Sequence, residues 1–205
     1  MKDTVIQMRE AGKPATGDCC AGCGTDLGRR RTLKVVAGVT LAVGAGVQPL
    51  QAAEDGPRNG DWLVQVDDEA KKPVTGADLK VGEKPLIVYP YDPTSKTLRD
   101  GTRLNRIVLV RLDPASLDAA TAPRAADGVV AYSAFCTHQG CDVSSWVAAE
   151  KVLLCFCHFS KFAPHEEATV TGGPAPRPLP ALPLKLEGGK LVVADGFNAP
   201  PGKAA

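Results

Sequence analysis

From Trp62 onward the apolar residues fall in short runs, with polar residues, Gly, Pro and Asp between them. The runs are Trp62-Leu-Val-Gln-Val66, Leu86-Ile-Val-Tyr89, Arg106-Ile-Val-Leu-Val-Arg111, Val129-Val-Ala-Tyr-Ser133, Val152-Leu-Leu154, Leu182-Pro-Leu-Lys-Leu186 and Leu191-Val-Val193. β-Branched and aliphatic residues in runs this short, bounded by turn formers, predict strands. No stretch past residue 54 sustains a helical apolar period for three turns. Asp68 to Lys80 and Asp113 to Ala126 are too polar or too often broken by proline for more than a turn or two. The pattern predicts an all-β domain over residues 54–205, with strand spacings typical of sandwiches and barrels. Asp113 to Asp127 is expected to be a surface insertion without a functional reading.

The beginning of the chain follows a different pattern. Arg29-Arg30-Arg31-Thr32-Leu33-Lys34 precedes an apolar run, Val35 to Val47, of thirteen residues with three glycines, and Gln48-Pro49-Leu50-Gln51-Ala52-Ala53 follows. This resembles a bacterial twin-arginine export signal with Arg30 and Arg31 as its pair. The run is short of the roughly 20 residues that cross a bilayer comfortably. Residues 1–53 are therefore expected to be a leader removed after Ala52 or Ala53, giving a periplasmic protein, with an uncleaved inner-membrane anchor as the alternative. Cys19, Cys20 and Cys23 lie in that leader; a Cys-x-x-Cys can bind metal or do redox chemistry, and reduced thiols are the expectation here. A net charge of +1 offers no electrostatic case for nucleic acid or for an acidic partner.

Once the leader is set aside, all four remaining cysteines lie in two boxes. Cys136-Thr-His138-Gln-Gly-Cys141 is followed after thirteen residues by Cys155-Phe-Cys157-His158. Thiolate sulfur and imidazole nitrogen are the usual protein ligands for iron and zinc, and each box offers both. Two Cys and two His make a tetrahedral zinc set as readily as an iron site, so a zinc-stabilised exported β domain is the alternative from another class. A structural zinc site, however, needs neither the second cysteine pair nor a third loop. Such a loop is present as Gly172-Gly-Pro-Ala-Pro-Arg-Pro-Leu-Pro180.

The boxes and this loop resemble those of the high-potential Rieske 2Fe-2S proteins. The resemblance implies that Cys136 and Cys155 bind one iron of the cluster and His138 and His158 the other. It further implies a disulfide between Cys141 and Cys157, a covering proline loop with Gly173 and Pro174 beside the cluster, and a hydrogen bond from Ser160 to cluster or ligand sulfur. Phe162 stands where many members place a tyrosine that donates a second such bond. The implied fold is three stacked antiparallel sheets with both ligand loops and the proline loop at one tip. Two ferric ions, two sulfides, two thiolates and two neutral imidazoles sum to zero charge, so such a site is a better oxidant than a four-thiolate one. The ranges are about −150 to +300 mV against about −400 mV for plant-type ferredoxins.

Ring-hydroxylating oxygenases carry a similar cluster but follow it with a long catalytic domain. Here the chain runs only from His158 to Ala205, with His165 the one histidine left and expected in an exposed loop. The resemblance thus implies an electron-transfer subunit without a catalytic site of its own. Val129-Val-Ala-Tyr-Ser133 running into Cys136, and His158-Phe-Ser160-Lys-Phe162, favour the small subunit of an arsenite-oxidase-like enzyme. Its expected partners are a molybdopterin subunit as donor and a c-type cytochrome or cupredoxin as acceptor. The alternative is the Rieske subunit of a quinol-oxidising cytochrome bc complex with a cytochrome b partner. Gly173-Pro-Ala-Pro176 favours it, while Gln139 stands where such subunits place leucine.

Overall fold

The computed structural model describes residues 56–203. The expected leader, with Arg30, Arg31, Cys19, Cys20 and Cys23, lies outside the described residues. Among the described residues there are twelve strands and four short 3-10 turns, and no helix long and apolar enough to cross a membrane. The strands are β1 (Trp62–Gln65), β2 (Leu86–Asp92), β3 (Thr97–Leu98), β4 (Ile107–Arg111), β5 (Val129–Ser133), β6 (Ser145–Val147), β7 (Val152–Cys155), β8 (Ser160–Ala163), β9 (Thr169–Gly172), β10 (Ala181–Leu182), β11 (Leu184–Glu187) and β12 (Lys190–Val193).

Eight of them form one antiparallel sheet in the order β10-β5-β4-β2-β1-β12-β11, with β3 paired to β2. Its two end strands, β10 and β11, are separated in sequence by Pro183 alone, so the sheet curls until it nearly closes. Proline has no N–H to donate to a ladder, which is why the predicted run Leu182 to Leu186 divides there into two strands. A second sheet holds β6-β7-β8-β9 as a meander. The all-β expectation of stacked antiparallel sheets holds, with two hydrogen-bonded sheets among the described residues where the resemblance implied three.

Alternation along β4 and β5 shows how one sheet supports the other. Ile107, Leu109, Val129 and Ala131 turn into the curled sheet beside Leu63, Val88 and Leu191. Val108, Val110, Val130 and Tyr132 turn the other way, against Leu153, Phe162, Cys136 and Cys155. Side chains on a strand alternate faces, so a strand buried on both sides reads as an unbroken apolar run, as Ile107-Val-Leu-Val110 does. Strands β4 and β5 are the shared wall between the two cores.

The segment expected to be a surface insertion is anchored to the second sheet. Thr121 is buried and its hydroxyl accepts a hydrogen bond from the Glu167 N–H at 2.8 Å. Arg124 pairs with Glu167, the Asp118 N–H donates to the His165 carbonyl at 3.0 Å, and Tyr132 Oη, from the wall, donates to the Pro164 carbonyl at 2.7 Å. On the far side Trp146 Nε1 donates to the Gly82 carbonyl at 2.7 Å. Polar ties therefore brace the small sheet on two flanks. His165, expected to be exposed, is half-buried at this brace.

Candidate metal centre

Two loops at one end of the small sheet carry the boxes. Loop 1 leaves β5 and folds back on itself: the Cys136 N–H donates to the Cys141 carbonyl at 2.8 Å and the Gly140 N–H to the Cys136 carbonyl at 2.9 Å. Gly140 sits at φ +70°, a left-handed conformation that glycine adopts without a Cβ penalty. Loop 2 is the tip of the β7–β8 hairpin, whose last pair is Cys155 with Ser160. Four residues, Phe156 to Phe159, make the turn.

These loops bring the four sequence-predicted ligands together in an ordered way. Cys136 and Cys155 are each 2% exposed, while His138 is half-buried and His158 exposed. The two imidazoles stand edge to face with ring centroids 4.7 Å apart. The Cys141 and Cys157 sulfurs lie 2.22 Å apart, with their Cα atoms separated by 6.5 Å, where loop 1 meets loop 2. The sulfurs of Cys141, Cys155 and Cys157 all fall within 4.8 Å of one another. Within that trio the approach of Cys141 to Cys157 is the pairing expected of a disulfide, which would leave Cys155 as the thiolate of the three.

Three observations fit the four donors to a metal cluster. Burial pushes the Cys155 thiol above its ordinary range and the neighbouring Cys136 sulfur adds to the effect, so two thiolates side by side in this core need cationic metal to hold their charge. His138 Nδ1 is buried without a hydrogen-bond partner, and so is Ser160 Oγ. A buried polar atom left unpaired costs on the order of 1–3 kcal/mol, and a cluster would satisfy both, with Nδ1 as a nitrogen ligand and Oγ as a hydrogen-bond donor to sulfur. When bound, a 2Fe-2S cluster supplies one-electron chemistry. The two candidate sulfur donors lie inside and the two imidazoles nearer the surface, so the histidines form the outer side of the site.

The third loop covers the site. Thr137 Oγ1 donates to the Arg177 carbonyl at 2.6 Å, and Arg177 Nη2 in turn donates to the Pro200 carbonyl at 2.7 Å. Gly173 approaches the backbone of loop 2 so closely that a Cβ there would lie 2.5 Å from Ser160 Cα and 2.7 Å from Ser160 N. Pro174 is exposed beside it. Phe162 is fully buried in the core that also contains Cys136 and Cys155. The sequence reading did not single out Phe156 and Phe159, which are 65% and 63% exposed on either side of His158. Phe159 also sits at φ +59°, where a bulky residue is uncommon. The place of Phe156 within box 2 and of Phe159 directly after it was the available signal.

The Rieske [2Fe-2S] domain family matches residues 65–183, more than half of the chain. A protein of Haloferax mediterranei described as a putative respiratory nitrate reductase subunit Rieske is 34% identical over 172 residues, 83% of this chain and 74% of its own length. The cytochrome bc1 complex Rieske iron-sulfur subunit of Streptomyces coelicolor is 29% identical over 87% of this chain and 54% of its own length. The cytochrome b6-f complex iron-sulfur subunit of Chlorobaculum tepidum is 39% identical over 66 residues, 32% of this chain and 35% of its own length. Rieske subunits of bc1 type recur among the relatives. This overturns the expected molybdopterin partner of arsenite-oxidase type, because the short segments around the boxes that suggested it belong to the cluster site and say little about which subunit docks there. The chain belongs to the Rieske [2Fe-2S] domain family, as an iron-sulfur electron-transfer subunit with a binding site for a 2Fe-2S cluster of that type.

Proposed function

We propose that this chain is the Rieske subunit of a quinol-oxidising cytochrome bc-type complex, exported by its twin-arginine leader to work at the outer face of the inner membrane. Cys136, Cys155, His138 and His158 hold the cluster, with Cys141 and Cys157 as the disulfide that fastens the two loops. The observation that carries the reading is the repeated similarity to bc1 and b6-f iron-sulfur subunits. The site suits it chemically: His158 is exposed between two exposed phenylalanines, so the electron crosses at an imidazole edge that an apolar partner surface can cover. A c-type cytochrome or a cupredoxin takes the electron onward.

The test is purification of the tagged full-length chain from its native membranes. A b-type haem should co-purify, and added quinol should reduce the cluster to its EPR-active form, with His158→Ala losing the signal. Absence of b-type haem together with no reduction by quinol would refute the reading. Changing Arg30 and Arg31 both to Lys, which keeps charge and removes guanidinium geometry, should block export. A second reading, as the Rieske subunit of a respiratory nitrate reductase, is favoured by the 34% identical relative. It predicts that nitrate, and not a cytochrome c, reoxidises the reduced protein in membranes.

A further inference from the structure

Loop 1 is gripped from outside by two arginines that stand 37 and 36 residues ahead of the groups they hold. Arg103 belongs to the 3-10 turn Arg103–Asn105, whose preceding residue Thr102 accepts the Leu104 N–H through its hydroxyl. Arg106 follows that turn, immediately ahead of β4. Arg103 Nη2 donates to the Gly140 carbonyl at 2.6 Å and lies 3.8 Å from Asp142 Oδ1. Arg106 Nη1 donates to Asp142 Oδ2 at 3.1 Å. Both guanidinium groups also approach the ring of buried Phe135, at 4.5 and 5.9 Å from its centroid. Phe135 and Asp142 are the paired residues that close the neck of loop 1.

Two like charges beside one ring repel each other, and Asp142 is the anion that lets them coexist. Arg103 is 62% exposed, so a simple ion pair there would be screened and worth little. What the arrangement does supply is direction. Arg103 Nη2 holds one carbonyl of the ligand loop and stands near the carboxylate at its neck while the guanidinium lies over the aromatic ring beneath, and a planar group stacked on a ring is a geometry that lysine's ammonium does not reproduce. We infer that Arg103 and Arg106 are positioning residues that fix loop 1, and with it Cys136 and His138, in the orientation that holds the cluster. The inference rests on the cluster-ligand reading of that loop.

The fold provides its own control. Arg111 likewise holds a carbonyl and a carboxylate, with Nη1 on the Gly76 carbonyl at 2.8 Å and Nη2 on Asp127 Oδ2 at 2.7 Å, but joins segments of the large sheet and its flanking loops. In the loaded protein, Arg103→Gln and Arg103→Lys should both broaden the EPR signal of the reduced cluster and release iron about tenfold faster, the factor that ~1.4 kcal/mol sets. Arg111→Gln should lower the thermal midpoint while leaving signal shape and iron release unchanged. The inference is overturned if both Arg103 variants match wild type in signal and release rate, or if Lys alone restores them. It is also overturned if Arg111→Gln perturbs the cluster equally, because general destabilisation would then explain everything. A wild-type protein without a 2Fe-2S signal would instead remove the ligand reading beneath it.

Discussion

Gly173 offers a test of how tightly the proline loop is seated, because a matched control exists in the same chain. Gly173 has φ +82° and Gly189 has φ +80°, so alanine is strained equally at both positions. A left-handed non-glycine residue costs roughly 1–2 kcal/mol. The surroundings differ: a Cβ at Gly173 meets the Phe159 carbonyl oxygen at 2.8 Å and the Ser160 backbone closer still, whereas at Gly189 it meets nothing within 4 Å. Backbone cannot swing aside as a side chain can, so the overlap adds about 1–3 kcal/mol, the usual range for overpacking. Gly173→Ala should therefore unfold about 2–12 °C below Gly189→Ala, at 2–4 °C per kcal/mol for a chain of this size. Thermal unfolding followed by circular dichroism reads the difference, and visible absorbance of the loaded protein reads whether the displaced loop exposes the cluster. Equal midpoints for the two variants would refute the close approach.

Replacing both Cys141 and Cys157 with Ser frees a link between residues 16 apart and should cost about 3 kcal/mol, read by denaturant unfolding; an unchanged midpoint would count against the clamp. Ser160→Ala should lower the reduction midpoint by ~65 mV, the equivalent of a hydrogen bond of ~1.5 kcal/mol at 59 mV per tenfold, and Phe162→Tyr should raise it, both measurable by protein-film voltammetry. Acid should loosen the brace of the small sheet. The Thr121 hydroxyl and N–H hold the Asp118 carboxyl below its ordinary 3.8, so its contribution is present above that value and lost as pH falls through the folded value. Unfolding measured from pH 5 to 2 should show a shallower loss in Asp118→Asn than in wild type.

The seven apolar runs became strands, because β4 and β5 are buried on both faces and β1, β2 and β12 on at least one. Strands β3, β6, β8 and β9 were not legible. Thr97-Leu98 is too short to show a period, Trp146 is only partly buried, and Ser160-Lys-Phe-Ala163 is a strand because loop 2 turns it back onto β7. At the site, the two boxes could be read from spacing because a cysteine and a histidine close together on one short loop leave a local signature. Arg103, Arg106 and Phe135 leave none. Their meeting with Asp142 depends on a turn before β4 lying beside a loop after β5, which only the folded sheet arranges. The partner was misread for a related reason, since residues beside the boxes report on the cluster and not on the surface that meets it.

Strands β5 and β10 are neighbours, with Tyr132 opposite Ala181 and the Ser133 N–H donating to the Pro180 carbonyl at 2.8 Å. Everything between them, residues 134–180, departs from one rung of the large sheet and returns on the adjacent one, about 4.8 Å away. Both ligand loops, the small sheet and the proline loop therefore form a cassette whose two ends are already joined by hydrogen bonds. Changes inside it leave the register of the large sheet untouched, as insertions between adjacent ends generally do. Evolution can retune potential and partner within the cassette while the barrel beneath keeps its own folding problem solved, and a graft of these residues onto a relative's β5 and β10 should move the redox properties with them.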